Sequence, residues 1–280
     1  MYDQIGTILH AINFMESHIQ QQIMVGDVAD AVGYSPFHFI RLFNQVVHHT
    51  PYDYLIRRRL TEAALEIAGS KHRLIDIAQD YVFANQETFS RMFHKMFHLS
   101  PSECRKKNGI SPRLLYQVKT VEDLRFASQI ESRAPSVVDL EDVHLFGLMA
   151  EITPGVFSSQ SRWTGRQHEL HEYCGMNPDT RLFEVLISTD CKWQKVYSFI
   201  GTEEKNLGAK PVTLTSIRIP GGTYARIMSG LNDHLPALRY LYSTWIPKAG
   251  LLAGLNMNIR QWDSVKENNA VLVPVQKPSC

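Results

Sequence analysis

The chain has 280 residues, 44% of them hydrophobic, with 29 Lys and Arg against 28 Asp and Glu. That length accommodates two ordinary domains, and a formal charge of +1 announces no polyanionic partner. No apolar run approaches the roughly 18 residues of a membrane span. No secretory leader pattern opens the sequence, and the cysteines (Cys104, Cys174, Cys191, Cys280) form no CxxC pair, so a reducing cytosol is expected, without disulfide framework or zinc site.

Ile5, Ile8, Leu9, Ile12, Met15 and Ile19 recur with helical period and predict a first helix. A short helix is expected at about 27–32, broken by Gly33-Tyr34-Ser35. Ser35 is placed to cap the next helix with its hydroxyl, and Pro36 suits its first position. That helix turns Phe39, Leu42, Phe43 and Val46 inward. Thr50-Pro51-Tyr52-Asp53 then opens a longer helix as a capping-box variant, with Ile56, Leu60, Ala63 and Ile67 as its buried stripe.

The same order then returns. Arg91-Met92-Phe93 repeats Arg41-Leu42-Phe43 and Ser100-Pro101 repeats Thr50-Pro51, both at an offset of 50, whereas Asp76-Ile77-Ala78 follows Asp27-Val28-Ala29 at 49. One extra residue therefore enters the second copy between Val82 and Ser90. A repeat of this length means that one structural unit is used twice. Each copy is a short helix, a tight turn and a longer helix, which is the logic of a helix-turn-helix whose second helix enters a DNA major groove. A plain helical bundle with an accidental repeat would not require a polar, basic outer face on both second helices. Here the outward positions are Phe37, His38, Ile40 and Arg41 in the first and Asn85, Gln86, Glu87, Thr88 and Arg91 in the second. Arg grips guanine and Gln adenine with paired hydrogen bonds, while Phe37, Ile40 and Thr88 suit thymine methyls. The densest basic runs, Arg57-Arg58-Arg59 and Arg105-Lys106-Lys107, are candidate phosphate contacts; the plainer reading of each is a solvated helix face.

GYSPFHFIRLF followed by DIAQDYVFANQETFSRMFHKMFHLSP resembles the DNA-binding domain of AraC/XylS-type bacterial transcription regulators, over roughly residues 5–107. The resemblance implies an all-α domain of two helix-turn-helix units joined by a long helix, with double-stranded DNA as partner and RNA polymerase as a further one. It places base reading on Phe37, Ile40 and Arg41, and on Gln86, Glu87, Thr88 and Arg91. Two residues depart from the pattern. Val82 stands where the second turn usually has Gly, so that turn is expected to be strained or differently shaped. Glu87 either accepts from cytosine N4 or repels phosphate.

Asn108-Gly109-Ile110-Ser111-Pro112 breaks the helical pattern, dividing a DNA-binding domain over 1–108 from a second domain over 130–280, with 109–129 expected to be a linker. Strand-like runs follow at Val143–Ile152, Phe183–Ser188, Lys195–Ile200, Thr213–Ile219, Thr223–Met228 and Val271–Val275. Helical patterns interleave at about 158–173 and 233–245. Strand, helix and paired strands given twice imply an α+β domain. IPGGTYARIMSG, LYSTWIPKAG and NIRQWDSV…NAVLVPV, in that order, resemble a GyrI-type effector-binding domain over about 130–277. This implies a duplicated strand-helix-strand-strand module with an aromatic cleft, commonly holding a buried Glu for cationic ligands. Arg260 occupies the Glu position, so the cleft is expected to prefer an anion or a neutral aromatic. Trp163, Tyr197, Tyr224, Trp245, Arg260 and Trp262 are its candidate walls; each Trp has ordinary core packing as the alternative.

His168-Glu169-Leu170-His171 puts its imidazoles at i and i+3, where a zinc-protease helix needs i and i+4. No GxSxG, phosphate loop or Cys-His pair occurs, so no catalytic residue, metal or cofactor is expected. The sequence thus describes a DNA-binding regulator with a small, aromatic effector. The alternatives are a ligand-free interaction or dimerisation module in the second half, or an enzyme fused to a DNA-binding domain.

Overall fold

In the computed structural model the described residues are 2–152, 168–170, 172, 180–190, 192–208, 214–230, 233–254, 256–262 and 269–278. They fall into two units, Met1–Gln129 and Ile130–Cys280.

The first unit is helical: α1 (Tyr2–Ser17), α2 (Val25–Ala31), α3 (Pro36–Val47), α4 (Pro51–Gly69), α5 (Leu74–Asp80), α6 (Gln86–Phe97), α7 (Pro101–Lys106) and α8 (Val121–Ser128). Two apolar cores serve it. Ile8, Ile12 and Met15 of α1 pack with Val28 and Ala29 of α2 and with Phe39, Phe43 and Val46 of α3. The second half of α4 (Leu60, Ala63, Ala64, Ile67) packs with Ile77, Ala78, Phe89, Phe93 and Phe97. The internal repeat survives down to ring geometry. Phe39 meets Phe43 edge-on at 5.5 Å and 62°, and Phe89 meets Phe93 at 5.5 Å and 61°. Such edge-to-face pairs contribute about 0.5–1.5 kcal/mol beyond the area they bury. α4 is the shared spine, its Tyr54 and Leu55 in the first core and its Leu60 onward in the second.

The stretch expected to be a linker carries structure of its own. Tyr116 is 1% exposed and belongs with Leu124 to the first core. α8 opens with a full capping box between Thr120 and Asp123. The sequence hid this because Tyr116 and Leu124 are isolated apolar residues without a long periodic run around them.

The second unit is an antiparallel sheet with helical cover: β1 (Ser136–Leu140), β2 (Val143–Ile152), β3 (Leu182–Ser188), β4 (Val196–Glu203), β5 (Thr215–Ile219), β6 (Gly222–Met228), β7 (Leu252–Ala253), β8 (Met257–Trp262) and β9 (Ala270–Gln276). The order across the sheet is β1-β6-β9-β8-β3-β4-β2-β5, with β7 paired to β9. α9 (His234–Tyr240) runs on through a π-type turn at Leu241–Trp245 and a short helical turn at Ile246–Lys248. One sheet face gathers Leu145, Val185, Phe199, Ile219, Tyr224, Ile259 and Leu272 into a single apolar cluster. The expected helix at 158–173, and Trp163 with it, lies outside the described residues apart from 168–170 and 172. β8 escaped the strand reading because Asn258, Arg260 and Gln261 interrupt its apolar pattern; Asn258 and Arg260 are nevertheless buried, at 4% and 7% exposure.

Candidate nucleic-acid interface and effector cavity

The two turns have the same hydrogen-bonded shape. In the first, Tyr34 N–H donates to the Ala29 carbonyl at 3.0 Å, with Gly33 between them at φ 73°. In the second, Phe83 N–H donates to the Ala78 carbonyl at 2.9 Å, with Val82 between them at φ 62°. Helix C-termini of this type place a residue in the left-handed region, where glycine is at ease and a β-branched side chain is not. Of the two expectations for Val82, strain is correct and a different turn shape is not. The extra residue of the second copy is also located. Tyr34 and Phe83 still match at 49, whereas the N-caps Ser35 and Asn85 match at 50, so the insertion falls at Ala84.

The caps differ in one respect. Ser35 holds the N-cap position of α3 in extended conformation, but its hydroxyl makes no capping bond, contrary to expectation; Pro36 stands at the first position as expected. Asn85 caps α6 by accepting from the Thr88 N–H at 2.8 Å. Its carbonyl oxygen is thereby committed to the helix, while the exposed residue keeps its amide donors outward.

The outward faces are as patterned. On α3, Phe37 is 80% and Ile40 39% exposed, and His38, Arg41, Asn44 and Gln45 are exposed. On α6, Gln86, Glu87, Arg91, His94 and Lys95 are exposed and Thr88 is half-buried. Sequence reasoning missed Asn44 and Lys95. The signal was available, since Asn44 lies seven residues after Phe37 and Lys95 four after Arg91, continuing the same faces.

The Arg57–Arg59 run is corrected. Arg58 is 5% exposed and lies inside the fold. Its Nε and Nη2 donate to the two Glu16 carboxylate oxygens, both at 2.9 Å; Nη2 also reaches Glu62 at 2.6 Å and Nη1 the Tyr116 carbonyl at 2.9 Å. Burial opposes its charge, but the bonds to Glu16 and Glu62 outweigh burial and raise its pKa. Arg59, also 5% exposed, donates to the carbonyls of Ile19 and Gln21 at 2.8 and 2.5 Å. These two arginines hold α1 and the segment after it to α4, so neither the phosphate role nor a solvated face describes them. Arg57 remains half-exposed, donating to Asp53 at 2.8 Å. Lys106 and Lys107 are exposed; Arg105 is half-buried and donates to the His72 carbonyl at 2.5 Å.

His49 lies in the α3–α4 junction, 4% exposed, with Nδ1 at 2.5 Å from the Asp53 carboxylate. Burial is the largest influence on the imidazole and lowers its pKa, the Asp53 bond opposing. Burial raises the Asp53 carboxyl, but the His49 hydrogen bond and the Arg57 charge outweigh it and hold the pKa at about 2. The consistent arrangement is a neutral ring donating to a carboxylate.

In the second unit, the expected pocket residues do not converge. Arg260 pairs in register with Glu184, and their charged groups stand 3.9 Å apart with the Trp262 ring 5.8 Å from the guanidinium. Trp262 packs near Leu182 and Ile200. Tyr224 and Ile259 belong together to the other face's cluster, and Tyr197, paired in register with Ile187, lies on that face too. Because side chains alternate along a strand, Arg260 and Trp262 point to the face opposite Ile259. The hydroxyl of Tyr224 donates to the Pro220 carbonyl at 2.7 Å, and Trp245 is half-buried in the π-type turn. A cavity of about 450 Å³ does exist, on the Ile259 side. Phe183, Ile219, Ile259 and Leu272 floor it; Glu141, Arg181, Glu203, Glu204 and Lys205 stand around it. Gln261 lines it and Arg260 does not, so the expected reversal of ligand charge loses its basis.

A family model described as a helix-turn-helix domain matches residues 28–107. The transcriptional regulator Rob of Salmonella typhimurium is 30% identical over 93% of this chain and 91% of its own length. The right origin-binding protein of Escherichia coli is 30% identical over 63% of this chain and 59% of its own. The regulatory protein SoxS of Escherichia coli is 38% identical over 34% of this chain and 90% of its own length.

Proposed function

The chain belongs to the AraC/XylS-type DNA-binding transcription regulators, and from that premise we propose that α3 and α6 read an operator while the second unit answers to a small molecule. The observation that carries the first part is the pair of equivalent turns at Gly33 and Val82, each leading into a helix that buries one face in its own core and exposes the other. Phe37, Ile40 and Arg41 act on one groove face; Gln86, Glu87, Thr88 and Arg91 act on the next. Phosphates are met by Arg57, Arg105, Lys106 and Lys107. The bound regulator then acts on transcription through RNA polymerase.

The second part is supported by the cavity floored by Phe183, Ile219, Ile259 and Leu272, whose volume of about 450 Å³ falls in the size range of small-molecule sites. The GyrI-type duplicated module finds support in the sheet order. β5-β2-β4-β3 reads from one edge as β1-β6-β9-β8 does from the other, with β3 and β8 meeting at the centre. β2, β3 and β4 correspond in this way to β6, β8 and β9, and α9 follows β6.

A footprint on the DNA upstream of the protein's own coding sequence tests the operator reading. Two protected major-groove faces about one helical turn apart are expected; uniform or absent protection contradicts it. For the effector, a small-aromatic screen by ligand-observed NMR should give binders that Gln261→Trp displaces. Binders unaffected by that substitution contradict the cavity assignment.

A further inference from the structure

The segment after α7 is bound to both cores of the helical unit. Ile110, Leu114 and Leu115 pack on the second core, and Tyr116, Val121 and Leu124 on the first. Polar bonds fix it along α4. Tyr116 N–H donates to the Thr61 hydroxyl at 3.0 Å, while the Tyr116 carbonyl accepts from Arg58. Lys119 is buried, with its ammonium 4.7 Å from the centre of the Tyr116 ring. α8 then packs against α1 and α3, burying Asp123, Leu124, Phe126 and Ala127. Its Leu124 shares a cluster with Phe39, Phe43 and Val46, the inward residues of α3. α8 therefore supports α3 on its buried side and leaves Phe37 and Arg41 exposed.

The same stretch of chain runs on into the second unit. Gln129 alone separates α8 from a 3₁₀ turn at Ile130–Arg133. Arg133 is ion-paired with Asp233, the residue that precedes α9, and the Asp233 carboxylate also accepts from the Gly230 N–H at 3.3 Å. Pro135 then leads into β1, which pairs with β6 along its whole length and ends at Leu140, a residue that lines the cavity. One continuous run of chain thus supports α3 at one end and forms cavity wall at the other, with an anchor in each unit. A Gly-rich tether would isolate the two units, and residues 110–140 contain no glycine. Coupling between distant sites requires packed elements that both sites bias. We infer that α8 is such an element: the state of the cavity reaches α3 through β1, Arg133 and α8, and operator binding reaches the cavity by the reverse route. The inference rests on α3 reading DNA and on the cavity taking a ligand, and adds the route that joins them.

Linkage runs in both directions, so DNA alone serves as the probe. Amide hydrogen exchange is followed by mass spectrometry in the full chain, free and saturated with a duplex recovered by selection from a random pool. In the parent protein the duplex should slow exchange at 121–128 and at 136–144 by about fivefold or more, the low end of ordinary coupling. A Gly-Ser-Gly-Ser insertion after Gln129 should abolish the effect at 136–144 and keep it at 121–128, with the selected duplex still preferred to a scrambled one. Arg133→Ala, outside the apolar clusters, should reduce the effect at 136–144. A support of α3 with no role in coupling would leave 136–144 unchanged in the DNA-bound parent, and that result overturns the inference. So does an insertion variant in which 136–144 still responds. Failure to recover any duplex overturns α3 as a base-reading helix, and the coupling route with it.

Discussion

Two residues show how a local rule and its tertiary setting compete. Val82 occupies the left-handed position that Gly33 fills in the first turn, at φ 62° against 73°. Relief of that strain is worth about 1–2 kcal/mol, and glycine's extra chain entropy returns about 0.5–1 of it. Val82→Gly should therefore raise the stability of the helical unit by about 1 kcal/mol, read from denaturant melts by circular dichroism; a loss would mean that Val82 packs in a way that outweighs its backbone. Arg58 is the opposite case, a charge that looks like surface in the sequence and lies in the core. Arg58→Ala leaves the carboxylates of Glu16 and Glu62, 21% and 33% exposed, without their main partner. The expected cost is about 3 kcal/mol of stability, with DNA affinity of the folded protein kept. Retained stability with weakened DNA binding would restore Arg58 to the phosphate set. Three consecutive arginines have the same composition whichever way they face. Only the packing of α1 and the Tyr116 segment around α4 separates Arg58 and Arg59 from Arg57.

At the level of elements, the helix-turn-helix pairs were legible because their signals are local: helical periodicity, Pro at the first helical turn, and a repeat that restates each. The sheet was less so. Polar residues inside β8 and the lone apolar residues around α8 are explained by long-range partners, Glu184 for Arg260 and the first core for Tyr116. The pocket failed for a related reason, since Arg260 and Trp262 lie on the sheet face opposite Tyr197 and Tyr224, and only the pairing of separate strands decides which residues share a face. The two helices proposed to read bases are expected to differ in weight. Arg41→Ala should cost about 1–3 kcal/mol of specific binding through a lost guanine contact, and Arg91→Ala less, because the α6 turn is strained and Glu87 lies beside it. Equal losses in an anisotropy titration would contradict that ranking. The α3–α4 junction gives the helical unit a pH dependence. Folding lowers the His49 pKa below its ordinary 6.5, so the neutral ring is favoured and its stabilisation is complete above that value. It is lost as pH falls toward the depressed pKa. Asp53 adds a second loss, from about 3.8 down to about 2. The helical melting temperature should fall from neutral pH toward pH ~5, and His49→Gln should flatten that fall; a parent protein with no pH dependence there would contradict the junction as described.

On the scale of the whole molecule, a chain with formal charge +1 binds a polyanion through where its charges lie. Burial of Arg58 and Arg59 leaves Arg57, Arg105, Lys106 and Lys107 as the proposed phosphate contacts. Four such contacts release enough counterion to weaken binding about a hundredfold between roughly 50 and 200 mM salt. The direct measurement is the equilibrium affinity of the full chain for a selected operator duplex across that range, beside a scrambled duplex of equal length. The account predicts a fall of about a hundredfold for both, with the operator tighter throughout by at least a factor of a thousand. Affinity flat in salt, or equal for the two duplexes, would contradict a protein that grips phosphate with these side chains and reads bases with α3 and α6.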